Sequence, residues 1–190
     1  SVACDARSTS QTDFTCDFNQ VPLPIGDADF DVVFSQFMLE HLPFANVPAL
    51  LKDCHRIVKP GGKLVLVVPN TEEQLKWIQR HPDGWDDKGF YEAASDLLFG
   101  AHTYHENHHS AFFSPMVMVK LLTEAGFRDI TSVPFGLAST DMLVQAKRDA
   151  VDTPAEAIIV PAAPSIKDVP PEELYDKAYW SGGSKYGGYS

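Results

Sequence analysis

The sequence predicts an α/β fold built on a mostly parallel sheet, with an antiparallel strand late in the chain. Three observations predict it. Residues 30–34 and 63–68 are continuous apolar runs of strand length. Between them, Val47, Leu50, Leu51, Cys54, Ile57 and Val58 recur at three, four and seven, the single apolar stripe of a helix. Residues 129–135 and 142–147 then read as two strands joined by a connection too short for a crossover helix, so they are antiparallel.

Taken in order, residues 2–4 form a short apolar piece ending at Asp5, and residues 14–16 form another ending at Asp17. Pro22 and Pro24 impose an extended loop. The run 30–34 has the composition of a strand buried on both faces. Asn46 can cap the following helix, with Pro48 in its first turn, and Pro60-Gly61-Gly62 reads as a sharp turn that ends it. The strand 63–68 is closed by Pro69. Strand, helix and strand with short links make a right-handed βαβ unit. Residues 71–81 read as a helix with Leu75 and Ile78 inward. Residues 90–99 read as another, with Tyr91, Ala94, Leu97 and Leu98 as its apolar set. A histidine-rich loop occupies residues 100–113. Ser114-Pro115 then starts a helix over 116–125 that Gly126 ends. Residues 149–171, rich in Ala and Pro, read as a semi-rigid linker, and 172–190 as an aromatic, glycine-rich tail.

The totals narrow the function. In 190 residues, 44% are hydrophobic, enough for a sizeable core. The formal net charge of −11 and the lack of a Lys/Arg-rich run argue against a nucleic-acid or anionic-membrane surface. No apolar run approaches the roughly 20 residues of a membrane span. The opening segment does not read as a signal peptide. Cys4, Cys16 and Cys54, odd in number and far apart, suit a reduced, cytoplasmic protein. In an open parallel sheet, ligands bind beyond the carboxyl ends of the strands. Three such ends are polar here: Asp5, Asp17 and Ser35-Gln36. A carboxylate there can accept ribose hydroxyls or an adenine amine, although Asp also starts turns for local reasons.

Order and spacing carry a resemblance over residues 1–148. "LPIGDADFDVVFSQFMLEHLP" followed by "LLKDCHRIVKPGGKLVLVVPN", and later "HHSAFFSPMVMVKLLTEAGF", resemble the second half of a class I S-adenosylmethionine-dependent methyltransferase of the small-molecule, type 11-like kind. The resemblance implies a Rossmann-like sheet of order 3-2-1-4-5-7-6 with an antiparallel seventh strand. It implies S-adenosylmethionine as cofactor, with Asp5 on the ribose, Asp17 and Phe18 near the adenine, and Ser35 and Gln36 facing the methionine part. His41 matches the histidine of the family's "EH" pair. His109 matches the single later histidine and can take a proton from the acceptor, with Tyr104 a further candidate. Trp77, Trp85 and Phe90 can line the acceptor pocket or simply pack.

The first strand of that family and its glycine-rich loop ("VLDxGCGxG" in kind) are missing from this chain. Without the central strand, two rows of backbone groups stay unpaired, so an upstream segment, a neighbouring chain or domain, or re-pairing of the flanking strands is expected to complete the sheet. The tail resembles the lead-in that some of these enzymes carry before the glycine loop, so it can open a further domain or reach a neighbour. His102, His105, His108 and His109 with Glu106 have spacings that can bind a metal. A polar substrate-side loop is the preferred reading, and no metal is expected. Two functions are compatible with this pattern: methyl transfer to a small molecule, or a catalytically silent methyltransferase-like structural or assembly subunit. A nicotinamide-binding domain ranks low, because its fingerprint is absent as well.

Overall fold

The computed structural model describes residues 2–82, 84, 87–104, 107–136 and 139–150. Trp85, His105, Glu106, most of the linker and all of the tail lie outside the described residues. The elements run β1 (Cys4–Asp5), β2 (Phe14–Thr15), β3 (Phe30–Gln36), a 3₁₀ turn (Leu39–His41), α1 (Val47–Ile57), β4 (Val58–Pro69), α2 (Thr71–Gln79), α3 (Lys88–Phe99), α4 (Pro115–Glu124), β5 (Arg128–Phe135) and β6 (Asp141–Lys147).

Four strands form one sheet in the order β3-β4-β6-β5. β3 and β4 are parallel, and β6 runs antiparallel to both its neighbours. β1 and β2 form a separate parallel pair. The two groups match the two sides of the expected order, 3-2 and 4-5-7-6, and among the described residues β1 does not pair with β3. The expected re-pairing of these flanking strands is therefore not observed among the described residues.

The core lies between the sheet and the helices. α1 packs on β4 and against α4, and α4 packs on β5 and β6. Every residue of the predicted α1 stripe is buried. Val47, Leu50, Leu51 and Cys54 meet Leu64, Leu66, Met118, Leu122, Phe127, Met142 and Val144 in one cluster. Full burial of a large apolar side chain stabilises by about 1.5–3 kcal/mol. The fold therefore rests on β4 and the two helices above it.

Several local expectations change. Pro60-Gly61-Gly62 is not a turn between helix and strand. β4 begins at Val58, and the pairing shifts register between Phe30↔Val58 and Val32↔Lys63, so these residues are accommodated as a bulge. Asn46 does not cap α1: its side-chain amide donates to Asn19 Oδ1 at 2.9 Å instead. Ser114 does cap α4, accepting from the Val117 N–H. On α2, Gln74 and Ile78 point inward and Leu75 is exposed. Tyr91 is exposed on α3, where Ala94 is the buried residue. β3 is a strand as expected but is not buried on both faces. It is the sheet edge, and its Val32 and Phe34 are 54% and 59% exposed.

Candidate functional site

The site begins where β3 ends. Phe37 leaves the sheet with φ +50°, a left-handed conformation that costs a non-glycine residue about 1 kcal/mol or more, while its N–H still donates to the Val67 carbonyl at 2.9 Å. This kink turns the chain into the 3₁₀ turn Leu39–His41. Leu39 anchors the turn in the core, and the side chain of Glu40 is buried beside it.

A second segment, between α3 and α4, is strapped onto this turn. The N–H groups of Ser110 and Ala111 both donate to the Glu40 carbonyl, at 2.6 and 3.1 Å. The Nδ1 of His41 donates to the carbonyl of His108 at 3.0 Å, so Nδ1 carries a proton and the neutral tautomer has its lone pair on Nε2. His109 N–H donates to Phe99 O at 2.8 Å. The strap brings the rings of His41 and His109 to 5.3 Å between centroids, tilted by 59°. One ligand-capable atom each from Glu40, His41 and His109 lies within 4.8 Å of the others.

The electrostatics are unusual. Glu40 Oε2 is buried with no hydrogen-bond partner among the described residues. Burial pushes the Glu40 acid up to about 8, reinforced weakly by the charge of Asp141. Burial also lowers the pKa of His109, and the neighbouring His41 lowers it further. Both effects favour a neutral imidazole, the form that accepts a proton or a metal.

The other expected site residues fall into separate groups. Tyr104 does not join the histidines: the Arg7 guanidinium lies over its ring, 4.1 Å from the centroid. The Arg7 guanidinium in turn lies 3.7 Å from Asp5 Oδ1, and the Arg7 backbone N–H donates to the same oxygen at 2.8 Å. Tyr104 is thereby tied to the acid at the end of β1. Both oxygens of Asp17 are engaged in its own turn, by Asn19 N–H and Nδ2 and by Gln20 Nε2. These bonds lower its pKa, the largest effect coming from the Asn19 backbone. Phe18 packs its ring partly against the core. Ser35 and Gln36 pair with Leu66 and Val67 at the carboxyl end of β3. Trp77 stacks on Phe90 at 5.1 Å, with His81 beside both. Arg7 was not singled out from the sequence. The adjacent "EH" pair pointed to Glu40, but nothing local announced its burial. His102 and His108 stay outside the Glu40 group, with His102 Nε2 directed at Phe99 O.

The mixed sheet, with its antiparallel strand β6 between β4 and β5 and polar residues at the ends of its parallel strands, is a Rossmann-like arrangement. Comparison with known proteins agrees. The family model described as "Methyltransferase domain" matches residues 3–66, about a third of the chain. A ubiquinone biosynthesis O-methyltransferase from Idiomarina loihiensis is 27% identical over 129 residues, 65% of this chain and 45% of that protein. A demethylmenaquinone methyltransferase from Bacillus pumilus is 31% identical over 134 residues, 64% of this chain and 53% of that protein. The chain thus spans about half the length of the curated relatives it matches. Among solved structures, a possible exported protein from Bordetella parapertussis shares the fold, with a TM-score of 0.51 at 22% identity, covering 74% of this chain and 45% of that one. By these matches the chain is similar to methyltransferases over about two thirds of its length. Among the described residues, no helix is long and apolar enough to cross a membrane.

Proposed function

We propose that the protein transfers a methyl group from S-adenosylmethionine to a small-molecule acceptor. The observation that carries this reading is the pairing of His41, in the turn that follows the carboxyl end of β3, with His109. In an open α/β sheet that edge is where ligands bind. Asp5 holds the ribose hydroxyls, Asp17 and Phe18 lie toward the adenine, and Ser35 and Gln36 toward the methionine part. Of the two acids, Asp5 is the better ribose acceptor, because Asp17 already spends its oxygens on its own turn.

The sulfonium is an activated donor, so the protein's work is alignment and exclusion of water. The acceptor's lone pair attacks the methyl carbon, the S–CH₃ bond breaks, and its electron pair stays on sulfur, giving the neutral thioether. The acceptor's proton passes to the His41–His109 pair, in which burial keeps His109 in the neutral form that can accept it. Tyr104, carried by Arg7, sits on the cofactor side and orients rather than deprotonates. Support for a small acceptor comes from the two curated relatives, whose names refer to ubiquinone biosynthesis and to demethylmenaquinone.

Isothermal titration of the intact gene product with S-adenosylmethionine tests this. Binding at about micromolar Kd, weakened about tenfold or more by Asp5→Ala, is the expected result. A folded protein that binds no S-adenosylmethionine would instead be the silent subunit.

A further inference from the structure

We infer that Glu40, His41 and His109 form a binding site for a divalent transition-metal ion. The donor set is one carboxylate and two imidazoles, with atoms already within 4.8 Å of one another. Ligands of a single Zn²⁺ sit roughly 3–3.5 Å apart, given bonds of about 2.0–2.2 Å. Small rotations of three side chains close that difference. Two imidazoles and one carboxylate suit Zn²⁺ and its first-row neighbours and leave at least one position open.

Two further observations point to a cation. Glu40 is 1% exposed, and its Oε2 has no donor among the described residues. A buried acceptor without a donor is costly, and a metal ion is the partner that a carboxylate flanked by two imidazoles fits. The ligands are also oriented in advance. His41 Nδ1 is held by the His108 carbonyl, which fixes the tautomer and presents Nε2, the usual outer support of a metal-binding histidine. The Ser110 and Ala111 bonds to the Glu40 carbonyl hold the His109 segment in place without using any of the three side chains.

This goes beyond the base role proposed above. An ion held there would take up both imidazole lone pairs, so the base role proposed above would belong to the metal-free protein, and the ion would supply a Lewis acid at its open position. The metal site stands without the cofactor reading, since binding of Zn²⁺ is measured with no S-adenosylmethionine present.

The test uses the full, untagged chain, stripped of metal with a chelator and titrated with Zn²⁺ by calorimetry and with Co²⁺ by visible absorption. One Zn²⁺ per chain at a Kd of about 10 μM or below is expected, with Co²⁺ d–d bands that Zn²⁺ abolishes. Glu40→Gln and His109→Ala should each weaken binding at least tenfold. His102→Ala with His108→Ala should change it less than about threefold. Should Glu40→Gln lose its native circular dichroism, the half-buried His41→Ala serves in its place. The inference is overturned if Zn²⁺ does not bind at one equivalent. It is also overturned if binding survives Glu40→Gln and His41→Ala but disappears in the His102, His108 double variant.

Discussion

The carboxylate of Asp53 accepts the backbone N–H of Leu23 at 2.8 Å and the Nε–H of Arg56 at 2.6 Å. Arg56 completes the clamp by donating to the carbonyls of Ile25 and Leu23 and to Asp27. The loop that enters β3 is thereby fastened to α1, and with it the strand that leads to the site.

Removing one partner tests the clamp. Asp53 is nearly buried, so Asp53→Ala strands the Leu23 N–H and leaves the Arg56 guanidinium without its main acceptor. A loss of about 3–5 kcal/mol is expected. In a thermal melt monitored by circular dichroism, this is a fall of roughly 10 °C in Tm. Asp27→Ala, on the solvent side of the same arginine, should cost less than about 1 kcal/mol. Equal effects of the two would contradict the clamp.

The bulge in β4 gives a second contrast between adjacent glycines. A Cβ on Gly62 would lie 2.8 Å from the Asp31 and Lys59 carbonyl oxygens and from Val58 Cγ1. Two of these are backbone and cannot move without opening the β3–β4 pairing. Gly61 has open space around it, and only its φ of +80° opposes a side chain. Gly61→Ala should cost about 1–2 kcal/mol, and Gly62→Ala clearly more. Urea unfolding of the two variants checks the order, and a reversed order would mean that the bulge is placed differently.

These contrasts mark what was legible from residues alone. The α1 stripe and the two apolar runs announced the β3–α1–β4 unit, because a buried helix stripe and a buried strand each leave a local period. The short gap before β6 announced its antiparallel direction. Periodicity could not tell that Pro60-Gly61-Gly62 is carried inside β4, since a turn and a bulge draw on the same residues. Nor could it show Gln74 inward and Leu75 outward, which depends on the neighbours of α2. The site was legible as separate residues. The approach of His109 to His41 and the burial of Glu40 arise from the strap at Ser110 and Ala111, a long-range contact with no local signature.

The thiol of Cys16 is accessible in part, yet its pKa is pushed up to about 12, first by burial and then by Cys4 beside it. The thiolate is the reactive form, so at pH 8 its alkylation should run roughly 10²–10³-fold slower in the native protein than in urea. Raising the pH increases the thiolate fraction. The native rate should therefore climb about tenfold per pH unit between 8 and 10 without levelling off. Peptide mapping after iodoacetamide pulses reads this at Cys16 alone. A plateau near pH 9 would show an ordinary thiol.

The segment that carries His109 runs on into an aromatic pair, Phe112 and Phe113. Phe113 is 1% exposed and sits in the core beside Leu64 and Met118, whereas Phe112 is 52% exposed. Phe113→Ala should cost about 3–5 kcal/mol, and Phe112→Ala under about 1 kcal/mol. Phe113 also anchors α2, because its carbonyl accepts the Thr71 N–H at 2.9 Å. Loosening this anchor should therefore disturb the histidine pair before the fold is lost. Under conditions where Phe113→Ala remains folded, the imidazole resonances of His41 and His109 in NMR spectra should broaden or shift, and those of His81, just beyond the far end of α2, should change less. If the two site histidines keep their native signals in that variant, the strap is held by the Ser110 and Ala111 bonds alone, and Phe113 serves only the core.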